Sequence, residues 1–182
     1  MEIGEKLFGR YGVMRLLGKG AQSEVFLVRD EANQNQLKAA KVFSSKNISS
    51  ASRRDLANEF HILESLQHPN LVRVYDYQLL DSSRTPVVIT EFVDRSETAE
   101  SVWSDAVQSW PLRAKVRFVF RMIDALAYLH RKKVIHGDLK PSNILLQKEA
   151  SGEDWIPKMI DFGVSQDLLI DKKKSAQEPL II

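Results

Sequence analysis

The chain contains no cysteine. Disulfides and thiolate metal sites are therefore excluded, and a reducing, cytoplasmic setting is the expectation. Long hydrophobic runs are missing too. Nothing approaches the ~20 consecutive apolar residues needed to cross a bilayer, so no membrane association is expected. The opening Met1-Glu2-Ile3-Gly4-Glu5-Lys6 has neither the apolar core of a signal peptide nor a glycine at position 2 for myristoylation. An excess of one charge is also absent: 26 Lys and Arg face 24 Asp and Glu, a net +2 that is dispersed and gives no support for nucleic-acid binding. There is no internal repeat or low-complexity tract. With 182 residues, 43% hydrophobic and 27% charged, the composition is that of one soluble globular domain with a substantial core.

The most informative stretch runs from 134 to 163, opening Val-Ile-His-Gly-Asp-Leu-Lys-Pro-Ser-Asn-Ile-Leu-Leu and closing Lys-Met-Ile-Asp-Phe-Gly. Asp138 and Asn143 lie five residues apart on a turn that Pro141 helps to fix. Ile144, Leu145 and Leu146 then read as a buried strand. Met159 and Ile160 deliver Asp161 to a turn permitted by Gly163, so a hairpin of two short strands would set Asp161 beside Asn143. Asn143 and Asp161 offer hard oxygen ligands for Mg2+, whose remaining ligands are usually water and substrate phosphate. Asp138 is then free to orient a hydroxyl. Lys140 can place positive charge beside a transferring phosphoryl group.

The run from His136 to Asn143, followed by Asp161-Phe162-Gly163, resembles the catalytic and metal-binding loops of the protein kinase family. Lysine at 140, in Asp-Leu-Lys-Pro-Ser-Asn, is similar to the serine/threonine branch. The resemblance implies an α+β fold: a five-stranded antiparallel small lobe with one main helix, over 1–93, and the first part of a mostly helical large lobe, over 94–182. It also implies ATP and Mg2+ as cofactors and a protein substrate bearing a serine or threonine hydroxyl.

The small-lobe segments can be read on their own terms. Strand-favouring residues from Tyr11 to Leu17 lead to Gly18-Lys19-Gly20-Ala21-Gln22-Ser23-Glu24-Val25 and a second strand. Glycines there let backbone amides approach phosphates; many hairpins contain a Gly-x-Gly, so alone it says little. In the resemblance it is the glycine-rich loop, with Ser23 in place of the third glycine. Residues 36–43 form a third strand with Leu37, Ala39 and Lys41 on one face. A strand lysine is ordinarily a solvated one, as Lys38 on the other face is taken to be. The resemblance assigns Ala39 and Val25 to the adenine roof and Lys41 to the α and β phosphates.

Ser52 to Gln67 has helical spacing in Leu56, Phe60, Leu63 and Leu66, and Glu59 sits beside that stripe. Glu59 is either solvated or, as the resemblance implies, the partner that keeps Lys41 charged and aimed. Leu71 to Leu79 and Pro86 to Phe92 read as two more strands. By resemblance Thr90 guards the back of the adenine pocket, Glu91 to Val93 form a hinge that binds adenine through its backbone, Glu97 meets the ribose, and Leu145 lines the pocket. Leu63, Val74, His136 and Phe162 would form an internal stack. From Pro111 a long helix carries Val116, Val119, Phe120, Ile123, Leu126 and Leu129 at helical spacing.

Two features depart from the pattern. Gly137 replaces the arginine that usually pairs with a phosphorylated activation loop, which implies activity independent of that phosphorylation. It also makes His-Gly-Asp, a form found in aminoglycoside and choline kinases. The chain also stops at Ile182, without an Ala-Pro-Glu motif or later helices, so the large lobe is expected to be truncated, with apolar surface left for further domains of a longer chain. Two other readings stay open: a catalytically silent nucleotide-binding scaffold, and a small-molecule kinase of the same superfamily.

Overall fold

The computed structural model describes residues 1–20, 23–44, 60–80, 85–102, 109–149 and 155–161. Two antiparallel sheets carry the fold. The larger is built from β1 (Lys6–Leu7), β2 (Tyr11–Lys19), β3 (Ser23–Asp30), β4 (Gln36–Phe43), β5 (Val74–Leu79) and β6 (Pro86–Glu91), in the order β1-β2-β3-β4-β6-β5. The expected five strands are present, and β1 is a sixth, a two-residue edge too short to show alternation. Val87, Val88 and Ile89 are buried in succession because β6 lies between β4 and β5 and both of its faces are covered.

Residues 60–64 form a helical turn, α1. The helix therefore ends earlier than Gln67, and Glu59 lies outside the described residues. Phe60 of α1 stacks on Tyr77 of β5, with ring centroids 4.1 Å apart. The smaller sheet joins β7 (Ser96–Thr98), β8 (Ile144–Lys148) and β9 (Trp155–Met159), in that order. Segment 70–72 stitches the two sheets together. Val72 N–H donates to Met159 O at 2.9 Å, Met159 N–H to Asn70 O at 2.9 Å, and the Asn70 side-chain amide to Pro157 O at 2.7 Å.

Among the described residues β7 is followed by α2 (Ala99–Val102) and α3 (Leu112–Arg131). Pro111 sits at the N-cap of α3, where its missing N–H costs nothing. The far end closes as a Schellman motif: Lys133 takes the left-handed conformation (φ 61°), its N–H reaches His130 O, and Val134 N–H reaches Leu129 O. That closure turns the chain directly into the 134–143 loop. Among the described residues no helix is long and apolar enough to cross a membrane.

The apolar spacing of α3 serves two faces. Ala114, Met122, Ala125 and Leu129 are buried in a core shared with α1, β8 and β9, with Leu126 packed against it. Val116, Val119, Phe120 and Ile123, which the spacing also picks out, are 45–69% exposed. Ile135 and Leu139 of the following loop are exposed as well. Lys38 corrects the expectation of a solvated lysine: it is only 2% exposed, and its ammonium lies 3.1 Å from the centroid of the Tyr75 ring. That cation–π contact offsets part of its lost hydration.

The two faces of α3 should respond differently to truncation. Leu129→Ala should cost about 2–5 kcal/mol of unfolding free energy in urea, and Phe120→Ala about 0.5 kcal/mol or less. Equal losses would show that the outer face is also packed.

Candidate active site

The hairpin β8–β9 sets the geometry. Its register pairs Ile144 with Met159, so the residues flanking that pair, Asn143 and Ile160, come together, and Ile160 N–H donates to Asn143 O at 3.0 Å. Asn143 belongs to a 3-10 turn, Pro141–Asn143, and is buried. Its amide nitrogen donates to Asp138 O at 2.8 Å and to Asp138 Oδ2 at 3.1 Å. The amide oxygen is thus the end left to take a cation. Lys140 Nζ is 2.7 Å from the same Asp138 Oδ2. This hydrogen bond first, with help from Asn143, holds the Asp138 carboxyl below the usual carboxylate range.

Gly137 has φ 77°, a left-handed conformation that costs glycine little and a side-chain-bearing residue more. His136 before it is 3% exposed, and burial lowers its pKa from the ordinary imidazole value. The Asp138 N–H points at His136 Nδ1, at 3.4 Å, so the neutral ring serves as an acceptor. Phe162 and Gly163, expected to complete this loop, lie outside the described residues.

Asp161 takes a left-handed backbone (φ 60°), a conformation that aspartate enters more readily than most side-chain-bearing residues. Its Oδ2 is 2.7 Å from Lys41 Nζ, which reaches over from the larger sheet. Lys41 was expected to pair with Glu59; the partner among the described residues is Asp161.

Between the sheets lies a cavity of about 640 Å³. Leu17, Gly18, Val25 and Ala39 line it on the β2–β4 side, and Leu145 and Ile160 on the smaller-sheet side. Lys41 and Asp161 both border it. Gly18 is inside β2, paired with Val25, and Gly20 N–H donates to Ser23 O at 2.8 Å. A Cβ on Gly18 would meet nothing within 4 Å, and Gly18 follows a register irregularity of β2 at Leu16.

Thr90, Glu91 and Val93 also line the cavity. The Glu91 N–H is spent on Arg73 O at 2.8 Å, and Val93 O accepts from the Ser96 hydroxyl at 2.7 Å. Glu91 O also takes a long 3.4 Å bond from the Thr90 hydroxyl. The Glu91 side chain is occupied elsewhere, 2.8 Å from Lys158. Glu97 corrects the expectation of a ribose contact. Strand alternation in β7 turns Ser96 and Thr98 toward the cavity and Glu97 away to solvent. Arg15, Asp94 and Arg95 line the cavity as well, and nothing in their spacing singled them out.

The fold is thus α+β, two antiparallel sheets with a cavity between them bordered on one side by a glycine hairpin and by the Lys41–Asp161 pair. The chain belongs to the protein kinase family: the family model for the protein kinase domain matches residues 11–179. It is 30% identical over 165 residues to calcium-dependent protein kinase 4 of Plasmodium falciparum (isolate 3D7), covering 90% of this chain and 30% of that protein. It is 31% identical over 165 residues to Aurora/IPL1-related protein kinase 2 of Caenorhabditis elegans, covering 91% and 51%. A crystal structure of the Mycobacterium tuberculosis PknI kinase domain superposes with a TM-score of 0.75 at 26% identity, covering 91% of this chain and 64% of that one. The chain thus spans less than two thirds of each of these proteins.

Burial of a neutral His136 links stability to pH. Its folded pKa lies below the unfolded value near 6.5, so its contribution is complete above that value and is lost as pH falls through the folded pKa. Thermal stability should therefore decline from pH 7 toward pH 5, and His136→Gln should flatten that slope. An unchanged slope in the variant would assign the acid sensitivity to other groups.

Proposed function

We propose that this chain carries the catalytic cleft of a serine/threonine protein kinase, moving the terminal phosphoryl group of ATP to a protein hydroxyl. The observation that carries the reading is the Lys41–Asp161 pair at the border of the cavity, with Asn143 and Asp138 bonded to each other and tied to the residue before Asp161 by the Ile160–Asn143 hydrogen bond. In this reading the adenine lies between Ala39 and Val25 on one side and Leu145 on the other. Glu91 O and Val93 N–H hydrogen-bond its edge, and Thr90 lies behind it. Thr98 and Ser96, not Glu97, are nearest the ribose. Gly18, Gly20 and Ser23 cover the phosphates and Lys41 holds them.

The donor set fits Mg2+. Asn143 Oδ1 and the Asp161 carboxylate are hard oxygens, and among the described residues no group of three or more His, Cys, Asp or Glu forms an all-protein cage. A cation held here draws its other ligands from phosphate and water, as Mg2+ does. When bound, Mg2+ supplies charge neutralisation on the phosphates.

Asp138 orients the incoming hydroxyl through its carboxylate and accepts the hydroxyl proton as the new P–O bond forms and the bond to the ADP oxygen breaks. Because Lys140 holds this carboxyl low, it is a weak base but is fully ionised at neutral pH, which suits orienting and late proton uptake. Lys140 sits where negative charge grows on the transferring group. Gly137 leaves no arginine beside Asp138 to receive a phosphorylated loop, which supports activity without that modification.

Transfer of label from γ-labelled ATP to a serine- and threonine-bearing protein tests the reading. Asp138→Asn should lower the rate by about 10²–10⁴-fold and leave thermal stability nearly unchanged. Retention of full activity would remove Asp138 from the mechanism. Label appearing on an aminoglycoside or choline but not on protein would favour the small-molecule reading that His136-Gly137-Asp138 also permits.

A further inference from the structure

The cavity between the sheets has a second cationic region besides Lys41. Arg15 reaches it from β2 and Arg95 from the turn between β6 and β7. That turn is held in place: the Ser96 hydroxyl donates to Val93 O at 2.7 Å, the Gln147 side-chain amide donates to Asp94 O at 3.0 Å, and Arg95 itself is left-handed (φ 51°). Three carboxylates also line the cavity, Glu91, Asp94 and Asp161. Asp161 is taken by Lys41, and Glu91 by Lys158 at 2.8 Å. Only Asp94 is left for the arginines. It meets Arg95 at 3.7 Å with the two side chains 71% and 92% exposed, a contact worth little in water. Arg15 is exposed and has no ion pair among the described residues. Glu97 lies outside the lining. Two guanidinium groups thus face one weakly engaged carboxylate, and this part of the cavity carries a surplus of positive charge.

We propose that Arg15 and Arg95 form an anion subsite of the nucleotide cavity, suited to a phosphate on the ribose 2′ or 3′ oxygen of an adenosine ligand. This rests on the nucleotide reading above and goes beyond it by naming a class of ligand. In that reading Ser96 and Thr98 are nearest the ribose, and Arg95 immediately precedes Ser96. The 5′ phosphates run toward Gly18 and Lys41, so the 2′ and 3′ oxygens are the sugar's remaining points of attachment. A guanidinium fork matches phosphate oxygens two at a time. Engaging Arg15 breaks no ion pair, and engaging Arg95 gives up only the long contact with Asp94. Unsubstituted adenosine leaves both groups in water, so its affinity is indifferent to them. Because the arginines are exposed, the gain is modest and is screened by salt.

Calorimetric titration of the 182-residue chain with adenosine and with its 2′-, 3′- and 5′-monophosphates, all in EDTA, tests the proposal without any turnover. In about 0.1 M salt the 2′- or the 3′-monophosphate should bind at least about fivefold more tightly than adenosine, and in about 1 M salt most of that gain should vanish. Arg15→Gln combined with Arg95→Gln should remove the gain while changing the affinities for adenosine and the 5′-monophosphate by less than about twofold. Both side chains are exposed, so the double variant is expected to fold. Arg15→Lys combined with Arg95→Lys should restore part of the gain, because the charge returns without the fork.

A gain for only one of the two ribose monophosphates supports the proposal and fixes the oxygen that carries the phosphate. Equal affinity of the wild-type chain for adenosine and for both of them would overturn it and leave the nucleotide reading standing. So would a gain that the glutamine double variant keeps, or an equal loss of the 5′-monophosphate in that variant, which would make the arginines a general attractor of anions. Failure of the wild-type chain to bind adenosine at all would overturn the nucleotide reading itself, and this inference with it.

Discussion

The register of the β8–β9 hairpin is the constraint on which the site depends. Pairing Ile144 with Met159 brings Asn143 and Ile160 together at one end of the hairpin and hands Asp161 on to the cleft. Side chains alternate along a strand, so a slip of one residue would turn Leu146 and Met159, both fully buried, toward the opposite face. The apolar core therefore enforces the position of the polar residues. Segment 70–72 then clamps β9 with three further hydrogen bonds, so the smaller sheet is fixed against the larger one by backbone pairing as well as by side-chain packing.

On that frame the charges sort into two kinds of place. On the outer side of the larger sheet, Arg10 chelates the buried Asp30 through two bonds of 2.7 and 2.8 Å, and Lys38 lies over Tyr75. Such groups are satisfied once and stay so. Near the cleft, Lys41–Asp161 and Lys140–Asp138 are single contacts of 2.7 Å between partly exposed side chains. A pair that can be exchanged for phosphate or metal at modest cost suits a binding site better than one locked in place. The left-handed Asp161 and Gly137 stand in this second region, where they turn the chain sharply beside the paired side chains.

How much of this the sequence made legible follows from the range of each interaction. Asp138, Lys140 and Asn143 lie within six residues, and their mutual contacts come from one short loop, so spacing alone placed them together. The strand from Ile144 was legible from its apolar run, but of β9 only the end at Met159 was, because Pro157 and Lys158 interrupt the apolar pattern of Trp155–Met159. The Lys41–Asp161 pair joins residues 120 positions apart on different sheets, and no local pattern encodes it. Glu97 was named by resemblance with no local pattern behind it, and in β7, where Thr98 pairs with Leu145, its side chain is exposed. In α3 the periodicity was real but did not say which of two apolar faces would be inward; the small Ala114 and Ala125 mark the close-packed one. Lys38 looked solvated because burial of a lysine depends on a neighbour, Tyr75, from another strand.

The central claim is that the cavity between the sheets is a nucleotide site. The most direct measurement is a thermal melt of the chain with and without saturating Mg-ATP. A ligand that binds only the folded state at a hundredfold excess over its Kd adds about 2.7 kcal/mol, which for a domain of this size corresponds to a rise of about 5–10 °C in Tm. A cooperative transition that moves up by that amount is the result the account predicts. A cooperative transition that does not move at millimolar Mg-ATP would contradict it.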